Sequence, residues 1–371
     1  MLIHDYFPQV GGAQTLLRSQ AQLFKASGVD VTIITRRFPG TLAFEKIDGI
    51  PVYRLPMSPI KPVASLLYTA FAVALLSRLR PDVIHANEFI SPSTTALLAK
   101  RLIGTPIVVT PHRSGPPGDV QRLKVRRGGL ARLNALREQV DAFIVISRDI
   151  EAELNRIQIP PKKMHFISNG VDTTRYSPVE FDQKAVLRRT LGISADALVV
   201  IFTGRLVSVK RLDDLLSVWP ALRSQFPKAE LFLVGTGDQE SVLQHMAGPG
   251  VHFPGPQNEV VPYLQAADIF VLPSEAEGLS IAMLEAMSCA LAPVLSRVGG
   301  ALEVVIDEKN GLLVSPGDQP ALQDALTKLL QDAGLRNRLG FAARQRVIEA
   351  YSLENSVEKL LNLYKELANR T

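Results

Sequence analysis

The sequence predicts an α/β protein built from two doubly wound domains. Short, β-branched apolar runs alternate with longer amphipathic segments along the whole chain, which is typical of parallel sheets covered by helices on both faces. The chain has 371 residues, which is too long for one ordinary hydrophobic core and suits two domains. The alternation stops at the polar segment 169–178 and then begins again, so we place the domain junction there.

Both predicted domains are Rossmann-like. Residues 1–172 form the first and residues 173–350 the second, and a ligand is expected in the cleft between them, outside the carboxyl ends of the strands. The last segment, 351–371, is predicted to be helical, with an apolar stripe that includes Leu360 and Tyr364. Because such a stripe needs a surface to pack on, we expect this helix to cross back to the first domain.

Buried strands are predicted wherever β-branched apolar residues form a short run. In the first domain these runs are 2–6, 29–35, 52–55, 83–86, 107–110, 142–146 and 164–167. In the second they are 199–203, 230–234, 251–253, 269–272, 292–295 and 311–314. Helical patterns lie between them, as at 13–25 and 94–102. The longest apolar stretch, 63–76, has 14 positions, fewer than the roughly 20 that span a bilayer, and predicts a buried or interfacial helix.

The composition is that of a globular protein, with 46% hydrophobic and 21% charged residues. Cys289 is the single cysteine, which excludes an internal disulfide, and its apolar neighbours predict a buried thiol in a reducing compartment. Residues 1–7 lack the basic and then apolar pattern of a secretory signal. We therefore expect a cytoplasmic protein, with association at the inner face of the membrane as a further option.

The net charge of +5 is unevenly distributed, because the chain carries +9 through Asp172 and −4 beyond it. Much of the excess lies in one cluster: Arg113, Arg122, Lys124, Arg126, Arg127, Arg132 and Arg137. The region 122–137 also contains apolar residues, so it predicts contact with an anionic membrane surface or a phosphorylated acceptor, and a merely solvated face is the alternative. Few aromatics lie near the cluster, which argues against nucleic acid as a partner.

Glu285 lies in the otherwise apolar helical stretch 284–287, where a buried carboxylate requires a partner or a ligand. Glu277 precedes it by eight positions, in a segment where Gly278 marks a strand end turning into a helix. The backbone N–H groups of Leu279 and Ser280 open that helix, and a helix N-terminus binds anions. Carboxylates beside an anion site predict a ligand with both hydroxyls and phosphate, such as a nucleotide-sugar.

Arg205 and Lys210 follow the predicted strand 199–203, at the edge where open α/β sheets bind ligands. Two cations there neutralise a diphosphate leaving group as its charge develops. Taken alone, Arg205 and Lys210 are better explained as a turn cap and a solvated surface residue, but their occurrence together with Glu277 and Glu285 favours the site.

Three features of the first domain also follow strands. Gly11 and Gly12 permit a tight turn and a close approach of ligand to backbone, although an ordinary βα turn is an equal alternative. His112 ends the run 105–111, where it is placed to bond a phosphate or the reacting sugar. His85 lies within a strand and is interpreted as a core residue whose hydrogen bonds are satisfied.

Other classes of site find little support. No His-x-x-x-His pair or cysteine cluster predicts a metal site, so we expect no metal and no cofactor. The run Val234-Gly235-Thr236-Gly237 resembles the start of a dinucleotide fingerprint, but Glu240 stands where its third glycine belongs. Neither a P-loop nor a Gly-x-Ser-x-Gly elbow is present.

Six motifs together resemble the retaining glycosyltransferases of family GT4, which have the GT-B fold, and the resemblance runs over nearly the whole chain. They are Gly11-Gly12-Ala13, Asp82-Val83-Ile84-His85, Thr110-Pro111-His112, Ser168-Asn169-Gly170-Val171-Asp172, Gly204-Arg205-Leu206 with Lys210, and Glu275-Ala276-Glu277-Gly278-Leu279 leading into Leu284-Glu285-Ala286-Met287. None is specific alone, but their order and spacing together are. The resemblance implies a hexosyltransferase whose second domain binds a nucleoside-diphosphate-sugar and whose first binds the acceptor.

By this resemblance, Glu285 accepts hydrogen bonds from the ribose, Arg205 and Lys210 hold the diphosphate, and Glu277 contacts hydroxyls of the donor sugar. The amides of Leu279 and Ser280 contact phosphate. Gly12 lets the first domain approach the phosphates, and His112 lines the reaction centre. In such enzymes the departing phosphate assists deprotonation of the acceptor on the same face, so neither a carboxylate nucleophile nor a metal is required.

Three departures from the family pattern stand out. Gln14 replaces the glutamate that often follows Gly-Gly-Ala, Leu279 replaces a frequent aromatic, and the first strand looks short. The donor is expected to be UDP- or GDP-linked, and the acceptor a lipid-linked sugar, a polysaccharide or a small metabolite. Two alternatives remain at this stage: a related nucleotide-sugar epimerase, and a non-catalytic module that binds a nucleotide or sugar.

Overall fold

The chain folds into two compact units. The computed structural model describes residues 1–9, 11–112, 118–126 and 128–370. Unit 1 consists of Met1–Asn169 with Glu354–Thr371, and unit 2 of Gly170–Leu353. Each unit contains parallel strands joined by helices, as the sequence predicts for doubly wound domains.

The described residues of unit 1 include seven strands. They are β1 (Ile33–Arg36), β2 (Phe44–Ile47), β3 (Ile50–Leu55), β4 (Ile84–Ala86), β5 (Ile107–Val109), β6 (Ala142–Val145) and β7 (Met164–Phe166). Their order is β1-β3-β2 in one sheet and β4-β5-β6-β7 in the other, and only β2 runs antiparallel to its neighbour. The residues of β4, β5 and β6 are buried throughout, which explains their unbroken apolar runs.

The predicted strand 2–6 does not form a regular strand. Leu2 makes isolated bridges to Ile34 and Ala86 instead. The Leu2 N–H donates to the His85 carbonyl at 2.8 Å, and the Leu2 carbonyl accepts from Asn87 N–H at 2.8 Å. Leu2 therefore joins the two sheets, and the backbone bonds to β1 continue as far as His4, whose carbonyl accepts from the Arg36 N–H at 3.3 Å.

β2 is a strand that the apolar pattern does not predict. It lies at the sheet edge and pairs only with β3. Its four residues include Glu45 and Lys46, and none of them is buried. An edge strand needs no continuous apolar run, because its side chains remain accessible to water.

Six helices of unit 1 are α1 (Gly12–Ala26), α2 (Lys61–Leu79), α3 (Ser91–Ile103), α4 (Asp119–Lys124), α5 (Gly129–Gln139) and α6 (Arg148–Arg156). The apolar stretch 63–76 falls within α2. In the described ranges of the chain, no helix combines the length and the apolar character that crossing a bilayer demands.

The last helix, which we number α15 (Leu353–Ala368), packs on unit 1 as predicted. The Tyr364 and Phe24 rings lie 5.6 Å apart between centroids, and the Tyr364 hydroxyl is 2.5 Å from His85 Nδ1. The Ser356 hydroxyl donates to the Ser168 carbonyl at 2.9 Å. The C-terminal segment is thus part of the first unit's core.

Unit 2 has six parallel strands in the order β10-β9-β8-β11-β12-β13. They are β8 (Leu198–Thr203), β9 (Ala229–Val234), β10 (Val251–Gly255), β11 (Ile269–Leu272), β12 (Ala292–Ser296) and β13 (Leu312–Val314). The helices are α7 (Phe181–Thr190), α8 (Leu212–Gln225), α9 (Glu240–Met246), α10 (Val261–Ala266), α11 (Ile281–Ser288), α12 (Ala301–Val304), α13 (Gln319–Gln331) and α14 (Ala333–Ala350).

The strand order of unit 2 reverses between β8 and β11. From β8 the chain proceeds outwards to β9 and β10, whereas from β11 it proceeds the other way to β12 and β13. The connections diverge at this point and leave a crevice outside the carboxyl ends of the two central strands. The position of a ligand site on unit 2 therefore follows from its topology.

Candidate active site

The loops that leave β8 and β11 bring Lys210 and Glu277 together. β8 and β11 are neighbours in the sheet, so their carboxyl ends lie side by side. Lys210 lies at the end of a short 3₁₀ turn, Ser208–Lys210, and its Nζ donates to Glu277 Oε1. The two residues predicted separately from the sequence are thus partners at the switch point.

Glu277 is held on a second side by Ser274. The Ser274 hydroxyl, which is buried, donates to the same Oε1 atom at 2.6 Å. The side chains of Lys210 and Glu277 are only 16% and 12% exposed. A carboxylate with two donors and little solvent has a fixed orientation, and its second oxygen remains available to accept hydroxyl groups.

Arg205 follows β8 at the same sheet edge but is solvent-exposed. Its guanidinium makes no hydrogen bond or ion pair to any residue that the structure describes. The structure therefore places Arg205 on the predicted loop without joining it to Lys210 or Glu277. An exposed cation at this edge is available to an anionic ligand.

The segment that contains Gly278, Leu279 and Ser280 leads directly into α11. The Ser280 hydroxyl caps the helix by accepting from Met283 N–H at 3.3 Å, and Leu279 is buried. The backbone N–H groups at this end point away from the helix, and the helix dipole gives them partial positive charge. Anion binding by Leu279 and Ser280 at this helix start stays a prediction from the sequence.

Gly299 and Gly300, which the sequence patterns did not indicate, pack against the backbone of this segment. Gly299 has φ of +47°, and a Cβ atom on it would lie 1.8 Å from the Glu277 carbonyl oxygen. The Gly300 N–H donates to the Gly278 carbonyl at 2.9 Å. The local signal was a Gly-Gly pair that begins four positions after the end of the predicted strand 292–295.

Gly299→Ala is expected to displace the Glu277 loop and to lower kcat/KM by about tenfold or more, since the new methyl group meets backbone rather than a flexible side chain. Gly192→Ala is the matched control, because Gly192 has φ of +72° but open space around its Cβ position. Steady-state kinetics should show a loss of kcat/KM in Gly299→Ala that is absent in Gly192→Ala, and thermal melting reports whether both variants are folded. An active Gly299→Ala enzyme with unchanged kcat/KM would show that the loop position is unimportant.

Gly235 and Gly237 have a structural role in the same site. A Cβ on Gly235 would lie 1.8 Å from the Gly204 carbonyl oxygen, and one on Gly237 would lie 2.1 Å from the Leu206 carbonyl oxygen. The Leu206 N–H also donates to the Thr236 carbonyl at 3.0 Å. Because Gly235 and Gly237 have no side chains, the loop after β9 can approach the backbone of the loop that carries Arg205 closely.

Glu285 is buried in α11, and its partner is Tyr176, which the sequence analysis missed. The Tyr176 hydroxyl donates to the Glu285 carboxylate, and both residues are less than 10% exposed. Tyr176 is fixed in turn, because its carbonyl accepts from the Ser288 hydroxyl at 2.5 Å. The Arg175 guanidinium lies over the Tyr176 ring and pairs with Glu259.

Burial raises the pKa of Glu285 to about 7 from its ordinary value of 4.5. The hydrogen bond from Tyr176 and the charge of Arg175 oppose this rise, whereas Glu259 adds to it. Near neutral pH the side chain is therefore close to half protonated. A strongly raised pKa beside a loop rich in donors is typical of a binding or catalytic group.

In unit 1, Gly12 is the first residue of α1, and His112 follows β5. The His112 N–H donates to Asp119 Oδ2 at 3.0 Å. His85 is buried with Nε2 2.7 Å from the Thr110 hydroxyl, and its other ring nitrogen contacts Tyr364, as expected for a core histidine. Burial lowers the pKa of His85 to about 3, so its ring is neutral.

Asn87 is a polar residue of this region that the sequence analysis did not select. It lines a small cavity together with His85, Thr110 and His112. Asn87 is 4% exposed, and its side-chain Nδ2 donates to no described residue. An unpaired buried amide costs about 1–3 kcal/mol, which favours a ligand hydroxyl or an ordered water beside it.

Arg113 and Arg127 of the predicted basic cluster lie outside the described residues. Of the others, Arg132 donates to the Ile90 carbonyl at 2.8 Å, and Arg137 donates to the Gln158 side chain at 3.1 Å. Within the described part of the chain, no group of three or more histidine, cysteine, aspartate or glutamate side chains is arranged to hold a metal ion.

Two protein-family models match the chain. The family model described as Glycosyltransferase Family 4 matches residues 10–175, and the model described as Glycosyl transferases group 1 matches residues 183–346. Between them they cover most of both units.

Relatives match along almost their full length. An alpha-maltose-1-phosphate synthase from Mycolicibacterium smegmatis is 29% identical over 99% of this chain and 99% of its own. A GDP-mannose-dependent monoacylated alpha-(1-6)-phosphatidylinositol monomannoside mannosyltransferase from Corynebacterium glutamicum is 27% identical over 98% of this chain and 96% of its own.

Solved structures show the same fold. A sucrose-phosphate synthase from Thermosynechococcus elongatus superposes with a TM-score of 0.82 at 25% identity, covering 98% of this chain and 95% of that one. HepE from Anabaena, solved with UDP-glucose, gives a TM-score of 0.82 at 20% identity over 98% and 99% of the two chains.

Two Rossmann-like units and these structural matches define a glycosyltransferase of the GT-B fold. The chain belongs to glycosyltransferase family 4. It is accordingly a retaining hexosyltransferase that uses a nucleotide-sugar, and neither the epimerase nor the non-catalytic alternative is favoured.

Proposed function

We propose that the edge of unit 2 between β8 and β11 holds the nucleoside-diphosphate-sugar donor. The observation that carries this is the contact of Lys210 with Glu277 at the switch point, with the buried Glu285 on the helix behind it. Lys210 has three N–H donors, so it can keep its bond to Glu277 and bind a phosphate oxygen as well.

The roles of the individual groups follow from their chemistry. Arg205 and Lys210 supply positive charge to the diphosphate, and the amides of Leu279 and Ser280 bind a phosphate oxygen at the start of α11. Glu277 accepts hydrogen bonds from hydroxyls of the donor sugar. Glu285 accepts from the ribose hydroxyls. These assignments rest on the family resemblance and on the local geometry of unit 2.

The reaction needs positive charge where the leaving group develops negative charge. As the bond to the sugar breaks, the diphosphate gains charge, which Lys210, Arg205 and the α11 amides stabilise without rearranging. We propose that a diphosphate oxygen takes the acceptor proton, so that no metal is required. On unit 1, Gly12 and His112 stay predicted contributors near the phosphates and the reaction centre.

The acceptor is proposed to be a carbohydrate or lipid-linked hydroxyl. Among the relatives, one is named for a phosphatidylinositol monomannoside acceptor and another for maltose-1-phosphate synthesis, so both lipid and small-molecule acceptors occur. The cytoplasmic location and the membrane contact of region 122–137 stay predictions from sequence.

Thermal melting with a panel of nucleotides tests the donor site. We expect UDP or GDP, at about 100 times its dissociation constant, to stabilise the protein by about 2.7 kcal/mol, which amounts to a rise in Tm of several degrees. The matching nucleoside, which lacks the diphosphate, should give little shift. In Lys210→Ala, we expect UDP or GDP to raise the Tm by little more than the matching nucleoside does.

Two outcomes would count against this site. If no nucleoside diphosphate shifts the Tm, the donor assignment to unit 2 is wrong. If UDP or GDP shifts the Tm of Lys210→Ala as much as that of the wild type, the diphosphate is bound elsewhere.

A further inference from the structure

Three helices of unit 1, α2, α3 and α5, pack side by side. The Thr69 hydroxyl of α2 lies 3.2 Å from the Thr95 hydroxyl of α3. Arg132 of α5 donates to the Ile90 carbonyl at the start of α3 at 2.8 Å. These contacts place α3 between α2 and α5, and we call the solvent-exposed sides of the three helices the α2–α3–α5 face.

Large apolar side chains project from this face into solvent. On α2, Val63, Leu66 and Phe71 are exposed, and Leu66 is 69% exposed. Their spacing of three and then five positions puts them on one side of the helix, continuous with Ala70 and Ala74. Apolar residues gathered in this way mark an interaction site, whereas single exposed ones do not.

The neighbouring helices extend the apolar surface. Leu98 and Leu102 lie four positions apart on α3 and are 39% and 68% exposed. Leu130 on α5 is 67% exposed. The solvent-exposed sides of α2 and α3 therefore carry large apolar side chains, and α5 adds Leu130 beside the exposed polar residues Asn134 and Glu138.

The charge of this part of the chain is strongly positive. Residues 61–139 contain 12 lysines and arginines but only 4 acids, a net charge of +8 in a protein whose total is +5. Neither α2 nor α3 contains an acidic residue. Arg78 and Arg101 lie in the last turns of these helices, and both are exposed.

We propose that the α2–α3–α5 face docks on an anionic lipid bilayer surface. Leucine and phenylalanine side chains enter the interface between headgroups and acyl chains, while the arginines bind the lipid phosphates. This inference goes beyond the transfer reaction and does not depend on the identity of the donor. It places the main contact on the apolar side chains of α2 and α3, with α5, which overlaps the predicted basic region 122–137, beside them.

The charge distribution favours lipid over a second copy of this chain. Two copies meeting through this face would bring the cations of α2 and α3 against one another, and like charges in a contact are costly. An anionic bilayer supplies the complementary charge and an apolar layer together. Ordinary association between copies through this face is thus an alternative that the test must exclude.

Vesicle flotation with the full chain tests the proposal. We expect the protein to float with vesicles that contain phosphatidylglycerol and to remain unbound with phosphatidylcholine alone, and raised salt should weaken the binding. The double variant Leu66→Gln/Phe71→Gln should reduce the partition coefficient about tenfold or more. Arg78→Gln/Arg101→Gln should also weaken binding, but only to vesicles with anionic lipid.

The matched control is Phe181→Gln/Val242→Gln, which removes exposed apolar side chains of unit 2, 84% and 52% exposed, and should leave flotation unchanged. Melting temperatures confirm that every variant is folded. No flotation of the wild type with phosphatidylglycerol, or equal flotation of Leu66→Gln/Phe71→Gln, overturns the proposal. A wild-type dimer by light scattering that Leu66→Gln/Phe71→Gln converts to monomer, without vesicle binding, would assign the face to a second copy instead.

Discussion

Lys210→Ala is expected to lower kcat/KM for the donor by about 100- to 1,000-fold, the usual cost of removing a group that stabilises developing charge in a transition state. Lys210 binds Glu277 and lies at the switch point where the diphosphate is proposed to bind. Its loss removes the cation and also leaves the partly buried Glu277 carboxylate with only the Ser274 donor. Both consequences lower kcat/KM for the donor.

Glu277→Gln should cost less than Lys210→Ala, because the amide retains an acceptor for Ser274 and leaves the Lys210 charge free for phosphate. The double variant should be little worse than Lys210→Ala alone, since the two side chains act as one unit. Measured kcat/KM values that multiply independently would show that the pair is not coupled in the reaction.

Lys184→Ala is the matched control for Lys210→Ala. Lys184 forms a comparable, partly buried ion pair with Asp268, but Asp268 directly precedes β11 and so lies at the amino edge of the same sheet. Losing this pair should lower the Tm while leaving kcat/KM close to that of the wild type. If both variants lose activity to the same extent, the effect of Lys210 is on folding and not on the donor.

The buried parallel strands could be predicted from the sequence because each of them is a short, almost unbroken apolar run. β11 is apolar throughout, and β8 is apolar except for its last residue, Thr203. The polar residues that follow these strands, Arg205, Lys210 and Glu277, must then lie at one edge of the sheet. The exposed edge strand β2 has no such run, and neither does the segment around Leu2, which makes isolated bridges.

Contacts between distant segments were beyond the sequence patterns. Tyr176 and Ser288 are 112 positions apart, and nothing local marks Tyr176 as the partner of Glu285. The roles of Gly235 and Gly299 likewise depend on which backbone each one approaches. Local periodicity reports which side of an element is buried, but the neighbour that covers it is set by the tertiary fold.

The pH dependence of donor binding is expected to report the ionisation of Glu285. Its pKa in the folded protein is about 7, raised from 4.5, so the carboxyl is protonated in the unliganded protein below pH 7. Two ribose hydroxyls need both carboxylate oxygens as acceptors, and a protonated carboxyl offers fewer. Donor KM should therefore rise as pH falls below 7, by up to about tenfold per pH unit.

Through Glu285, low pH should weaken donor binding but stabilise the fold. In the absence of donor, the contribution of Glu285 to the free energy of unfolding should therefore increase as pH falls. The raised pKa means that ionisation of Glu285 is less favourable in the folded chain than in the unfolded one. Its contribution to stability is thus greatest below about pH 4.5 and declines as pH rises towards 7. Denaturant titrations of the wild type and of Glu285→Gln, which cannot ionise, isolate this contribution.

Two variants, Tyr176→Phe and Glu285→Gln, test whether the pH dependence of donor KM comes from the ionisation of Glu285. The Tyr176 hydroxyl lowers the pKa of Glu285, so its removal should shift the inflection of donor KM to higher pH, with kcat at high pH nearly retained. Glu285→Gln should have a raised KM with no inflection between pH 6 and 8, because its amide does not titrate. An unchanged inflection in Glu285→Gln would assign the pH dependence to another group, and a flat wild-type profile would exclude a proton-linked role for Glu285 in donor binding.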